Sequence, residues 1–330
     1  MNATDPEGSP DPLPAPAPPY PLSERAPLAA RSGGLALGLV MVVAGLAGTW
    51  LSWRYFVDTA LGQLLDNTAY RGSSIGRSTL WEAAEPVLDL IDIPFVVVVL
   101  AAAATIAVLR RRWLLAVQVA VLVGGANITT QLLKHGVFDR PTLTDAVGSA
   151  GNSLPSGHTT VAASVAAALV LVVPRRARAL VAVLAAGYAA LTGVSTMIGG
   201  WHRPSDVIAA FAVVVAWAGL TTIITAVGSP ERVTSPAAGR ASTAVTATFM
   251  LLAAGIAGVL AAGAYERTRD ALAETVWIDS RTDLATAYVG GALGVVAVSA
   301  ASFALFLVAH QLASRPGDGA ELRAEPAAVR

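Results

Sequence analysis

Residues 207–227 read VIAAFAVVVAWAGLTTIITAV, a run without a single ionisable side chain. About 20 apolar residues cross the hydrocarbon core of a bilayer as an α-helix, which satisfies its own backbone groups where no water can. Just upstream stands WHRPSD (201–206), in which Pro204 and Asp206 suit the first turn of that helix. The same reading along the chain predicts about eight spans, near 33–51, 93–109, 113–133, 159–173, 179–200, 207–227, 244–265 and 284–309.

Composition agrees with these runs. Hydrophobic residues make up 55% of the chain and charged residues 13%, where a soluble domain has about 25% charged. The chain therefore reads as an all-α polytopic membrane protein. Residues 1–30, dense in proline and alanine, are expected to form a disordered cytoplasmic tail, and 312–330 a second one. Between them lie an expected membrane core at 31–228 and an additional helix pair at 229–311. The first apolar run follows a long tail and lacks a small-residue cleavage site, so no removable signal peptide is expected. With no cysteine, disulfides and a cysteine nucleophile are excluded.

Two arginine groups, 110–112 and Arg175, Arg176 and Arg178, set the expected orientation, because short cationic loops stay cytoplasmic. Eight crossings then put both termini inside. Lys134, His158 and His202 all fall on the outer side, although none of them entered the assignment.

Those residues head three polar strings. KHGVFDRP (134–141) holds the chain's one lysine, Lys134, followed by Arg140. Taken alone, Lys134 reads as a cation snorkelling at a helix C-terminus, and Arg140-Pro141 as a loop. PSGH (155–158) supports two readings. Ser156 is a helix cap there, or else Ser156 and the Gly157 N–H cradle an anion while His158 supplies a proton. WHRPSD divides likewise between helix-start signals and a histidine, His202, oriented by Asp206 four residues on so that its second nitrogen can act as a nucleophile. The joint reading is a phosphate site at a membrane surface.

KHGVFDRP, PSGH and the stretch from Ser195 to Asp206, which contains WHRPSD, resemble the three signature motifs of the type 2 phosphatidic acid phosphatase superfamily, which includes lipid phosphate phosphatases and vanadium haloperoxidases. The resemblance runs from about Trp113 to Val227. Two departures stand out. Five residues separate Lys134 from Arg140-Pro141 where the family usually has six, and Thr196 follows Ser195 where the family places an arginine. The seventh and eighth predicted helices also exceed the family's usual six.

The resemblance implies a lipid-phosphatase-like helical bundle with no metal or cofactor. His202 would attack phosphorus, Asp206 would orient its ring, and His158 would protonate the leaving group. Lys134, Arg140, Ser156 and Gly157 would hold phosphate oxygens. Arg203 is the nearest cation in sequence that could replace the missing arginine. Expected partners are a lipid phosphate or polyprenyl diphosphate and membrane lipids, and not nucleic acid. A lipid phosphotransferase and a non-catalytic anion-binding or transport protein stay open as alternatives. The G-x-x-x-G step at Gly290 and Gly294 predicts helix packing against the Gly255–Gly258 face or against another subunit. Oligomeric state is not legible.

Overall fold

The computed structural model describes residues 32–89, 101, 105, 113–145, 153–228 and 240–314. They form helices α1 (Ser32–Ser52), α2 (Ala60–Gly72), α3 (Arg77–Asp89), α4 (Trp113–Leu132), α5 (Gly157–Val172), α6 (Arg175–Ile198), α7 (Pro204–Gly228), α8 (Arg240–Glu274) and α9 (Arg281–Ala313). Single π-helical turns extend α1 through Trp53–Val57 and α4 through Leu133–Val137. Among the described residues six helices are long and apolar enough to cross a membrane, and α5 is a shorter apolar helix. The expected span at 93–109 lies outside the described residues. The chain is a multi-pass, all-helical membrane protein.

Local chemistry sets the helix ends. Thr59 and Ser280 cap α2 and α9, their hydroxyls accepting from the N–H groups of Gly62 and Asp283. Pro204 opens α7, where a missing N–H costs nothing. Between α6 and α7 the chain reverses at Gly200, whose φ of 68° a side chain would disfavour.

One core joins the bundle. Leu122 of α4, Ala163 of α5, Ala189 of α6, Phe211 of α7 and Phe306 of α9 are all buried in it. Small residues bring the backbones close: a Cβ on Gly45 of α1 would lie 2.5 Å from the Ala212 carbonyl oxygen of α7. Polar side chains add cross-links, as Gln118 donates to Thr225 at 2.6 Å and Ser299 to the Ala186 carbonyl at 2.8 Å.

Helix α9 is no appendage. Its Val295, Phe303 and Phe306 belong to the same core as α4 to α7, and a Cβ on Gly291 would stand 2.5 Å from Pro204 Cγ. The G-x-x-x-G step packs within the chain, with Gly290 meeting Ala264 of α8. Gly255 has no neighbour at that range, which places the contact further along α8 than the Gly255–Gly258 face expected from sequence.

Helices α2 and α3 escape a reading based on apolar runs, because their sequences are mixed. Both lie at the end of the bundle where α4 finishes and α5 and α7 begin.

Candidate active site

The three polar strings meet at that end. The π-helical turn after α4 carries Lys134, the N-terminus of α5 carries His158, and the turn entering α7 carries His202. The two imidazole rings stand 6.2 Å apart between centroids. His202 is buried and His158 exposed, so the two imidazoles differ in their access to solvent.

Asp206 organises His202. Its Oδ2 lies 3.1 Å from His202 Nδ1 and accepts from the Arg203 N–H at 3.0 Å and from the Ser153 hydroxyl at 2.7 Å. Ser153 Oγ is itself 2.8 Å from His202 Nδ1. Three donors thus converge on this carboxylate, which engages the imidazole through Nδ1 and leaves Nε2 on the side away from Asp206. The backbone is tied in as well, since the Ser156 N–H donates to the Asp206 carbonyl at 2.8 Å. Sequence reading missed Ser153. A serine two residues ahead of Pro155 carries no spacing signal of its own.

Arg140 bridges two strings, its Nη2 donating to the Lys134 carbonyl at 2.9 Å and to the Leu154 carbonyl at 3.1 Å. The shortened first motif therefore still closes with Arg140 against the loop that leads into α5. Partial burial lowers the Arg140 pKa from its ordinary value, and the Asp206 carboxylate acts in the opposite sense. Lys134 interacts electrostatically with Asp206, Arg140 and His158. Gly157 opens α5, and a Cβ there would meet only Gln131, at 3.9 Å. Room for an oxyanion exists at this helix start.

Two of the expected phosphate ligands have partners within the chain. Ser156 is fully buried, and its hydroxyl caps α5 by accepting from the Thr159 N–H at 3.3 Å. Helix geometry turns this oxygen toward its own first turn. The Arg203 guanidinium lies 5.0 Å from the centroid of the Tyr70 ring on α2, within cation–π range. Thr196 is buried too, its hydroxyl donating to the Gly193 carbonyl of its own helix at 2.7 Å. An aromatic edge borders the histidines, with Trp201 at 5.3 Å from the His158 ring and Trp81 at 5.8 Å from Trp201.

Helices long and apolar enough to cross a membrane, with a histidine pair and two cations gathered at one end, define the class as an integral membrane protein with a polar site at the end of its bundle. Residues 113–228 match the model of the PAP2 superfamily, the family that the three polar strings resemble. The match spans α4 to α7 and all three strings. Comparison with curated proteins and with solved structures returns no match.

Proposed function

We propose that this protein is a membrane-embedded phosphatase that hydrolyses a lipid phosphate or polyprenyl diphosphate at the extracytoplasmic face through a phosphohistidine. The observation that carries the reading is His202, held at Nδ1 by Asp206 and Ser153 and 6.2 Å from His158 between ring centroids, with Lys134 and Arg140 interacting electrostatically with the same Asp206. In the first step His202 Nε2 attacks phosphorus, the bond to the leaving oxygen breaks, and His158 gives that oxygen its proton. In the second, neutral His158 takes a proton from water. The resulting hydroxide displaces His202 and releases inorganic phosphate.

Lys134, Arg140 and the Gly157 N–H serve the equatorial oxygens, whose charge grows more diffuse in transfer. Every step uses groups of the chain itself, so the proposed reaction needs no metal. A lipid substrate suits the surroundings. An apolar groove of about 380 Å³ between α1, α4 and α7, lined by Leu46, Trp50, Leu133, Phe138, Val213 and Trp217, reaches the turn that bears Lys134. The arginines at the start of α6 favour a cytoplasmic position for the opposite end, and with it cytoplasmic termini.

The test is phosphate release from a panel of lipid phosphates by purified protein, with acid-quench trapping of labelled phosphoenzyme. Vanadate should inhibit and EDTA should leave the rate nearly unchanged. His202→Ala should abolish turnover and trapped label, whereas His158→Ala should still form phosphoenzyme from a substrate with a good leaving group. Wild-type turnover in His202→Ala, or loss of activity to EDTA with recovery on adding magnesium, would overturn the mechanism.

A further inference from the structure

Helix α2 lies outside the matched segment, yet one face of it touches two of the three strings. Gln63, Asp66 and Tyr70 are spaced three and four residues apart, which aligns them along a single stripe. Gln63 Nε2 donates to the Pro141 carbonyl at 2.6 Å and its Oε1 accepts from the Leu143 N–H at 3.2 Å. Those partners lie one and three residues after Arg140. Asp66 accepts from the Ser205 hydroxyl at 2.6 Å and from the Ser205 N–H at 3.2 Å. Tyr70 donates to the Gly200 carbonyl at 2.9 Å and carries the Arg203 guanidinium over its ring. Ser205, Gly200 and Arg203 flank His202 on both sides.

Another face of α2 is anchored. Leu65 packs with Leu272 of α8, Leu284 of α9 and Ile278 of the turn between them. Arg71 donates to the Ile278 carbonyl at 2.8 Å and to Asp279 at 2.9 Å. The helix pair that the family resemblance leaves unexplained thus braces α2 against the site.

We propose that α2 is a positioning strap for the reaction: Gln63 fixes the loop bearing Arg140, while Asp66 and Tyr70 fix the turn bearing His202. This rests on the phosphatase reading given above. None of the three side chains needs to touch substrate. They act through the groups that do, and nucleophile placement is a steep function of distance, with a misplacement of about 1 Å costing about 10² in rate.

The two ends of the strap should fail differently. In the full chain in micelles, Gln63→Met should raise KM and the vanadate inhibition constant by roughly tenfold and leave kcat within about threefold, because it loosens the phosphate-binding loop. Asp66→Ala should lower kcat by roughly 10- to 100-fold at nearly constant KM, since it frees the nucleophile. Asp66→Asn keeps an acceptor for the Ser205 N–H and should recover most of that loss. Ser205→Ala removes only the hydroxyl contact and serves if Asp66→Ala does not fold, with a fall of about three- to tenfold expected.

Backbone hydrogen exchange supplies a readout independent of activity. Gln63→Met should speed exchange at Leu143 but not at Ser205, and Asp66→Ala should do the reverse. Variants with kcat, KM and exchange all near wild type would overturn the strap and leave the phosphatase reading intact. Faster exchange at the stated amides in the variants, together with no phosphate release by the wild-type chain, would overturn the phosphatase reading and support the strap as the brace of these loops.

Discussion

Asp66 should make the stability of this protein depend on pH in a direction opposite to that of an ordinary salt-bridged carboxylate. Burial first, and the nearby Asp206 charge second, push its carboxyl from 3.8 up to about 7, against the pull of Ser205 and Arg203. Between those values the folded chain holds a proton that the unfolded chain has released. Stability is therefore fully present below the unfolded pKa and falls as pH rises toward 7. At about 1.4 kcal/mol per pH unit the whole fall is on the order of 4 kcal/mol, of which about 2 kcal/mol lies between pH 5 and 7. Asp66→Asn holds the site in a neutral form and removes this dependence. Thermal unfolding of both proteins in the same micelles, followed by fluorescence of the 7 tryptophans, provides the comparison. The variant should gain on the wild type steadily from pH 5 to 7 and level off above it. Taking the difference cancels the titration of the 4 histidines. Parallel curves would show that Asp66 ionises in the folded state as it does in water, and would refute the argument.

Gly291→Val should force α9 off Pro204 at the head of α7, lowering stability by about 1–3 kcal/mol and turnover with it; the unfolding midpoint and phosphate release measure the two. Arg203→Ala should leave the vanadate inhibition constant within about threefold, because the guanidinium stacks on Tyr70, whereas loss of a true transition-state donor costs about 10²–10³. A tenfold rise would put Arg203 on the phosphate after all. In this cysteine-free chain, a cysteine replacing Gly136 should react with an impermeant thiol reagent from outside intact cells and one replacing Arg176 should not; reversed labelling would invert the proposed orientation.

Much of the architecture was legible because burial in lipid leaves a plain mark on sequence. The expected span at 113–133 coincides with α4 and its π-helical turn, and that at 207–227 lies within α7. Helices α8 and α9 run past their predicted ends, since polar turns such as Glu266–Glu274 extend a helix without adding an apolar signal. Within the site, the side chains that meet through a fixed short spacing could be read: His202 and Asp206 sit four apart on the entry to one helix. Contacts made across long separations could not. Ser153 reaches Asp206, and Asp66 reaches Ser205, through folding that no local pattern encodes. Ser156 shows the opposite difficulty, as a cap and a phosphate ligand have the same local signature and only its burial separates them.

The hydrogen bonds that α2 makes to Pro141, Gly200 and Ser205 also bear on where this protein begins as a physical object. Residues 113–228 are what homology recognises, but a protein trimmed to them would leave the Leu143 and Ser205 amides and the Pro141 and Gly200 carbonyls without the partners described here. Inheritance can be traced through a shorter stretch of chain than cooperativity requires. Chimeras that transplant the motif-bearing helices should therefore carry α2 and the α8–α9 hairpin with them.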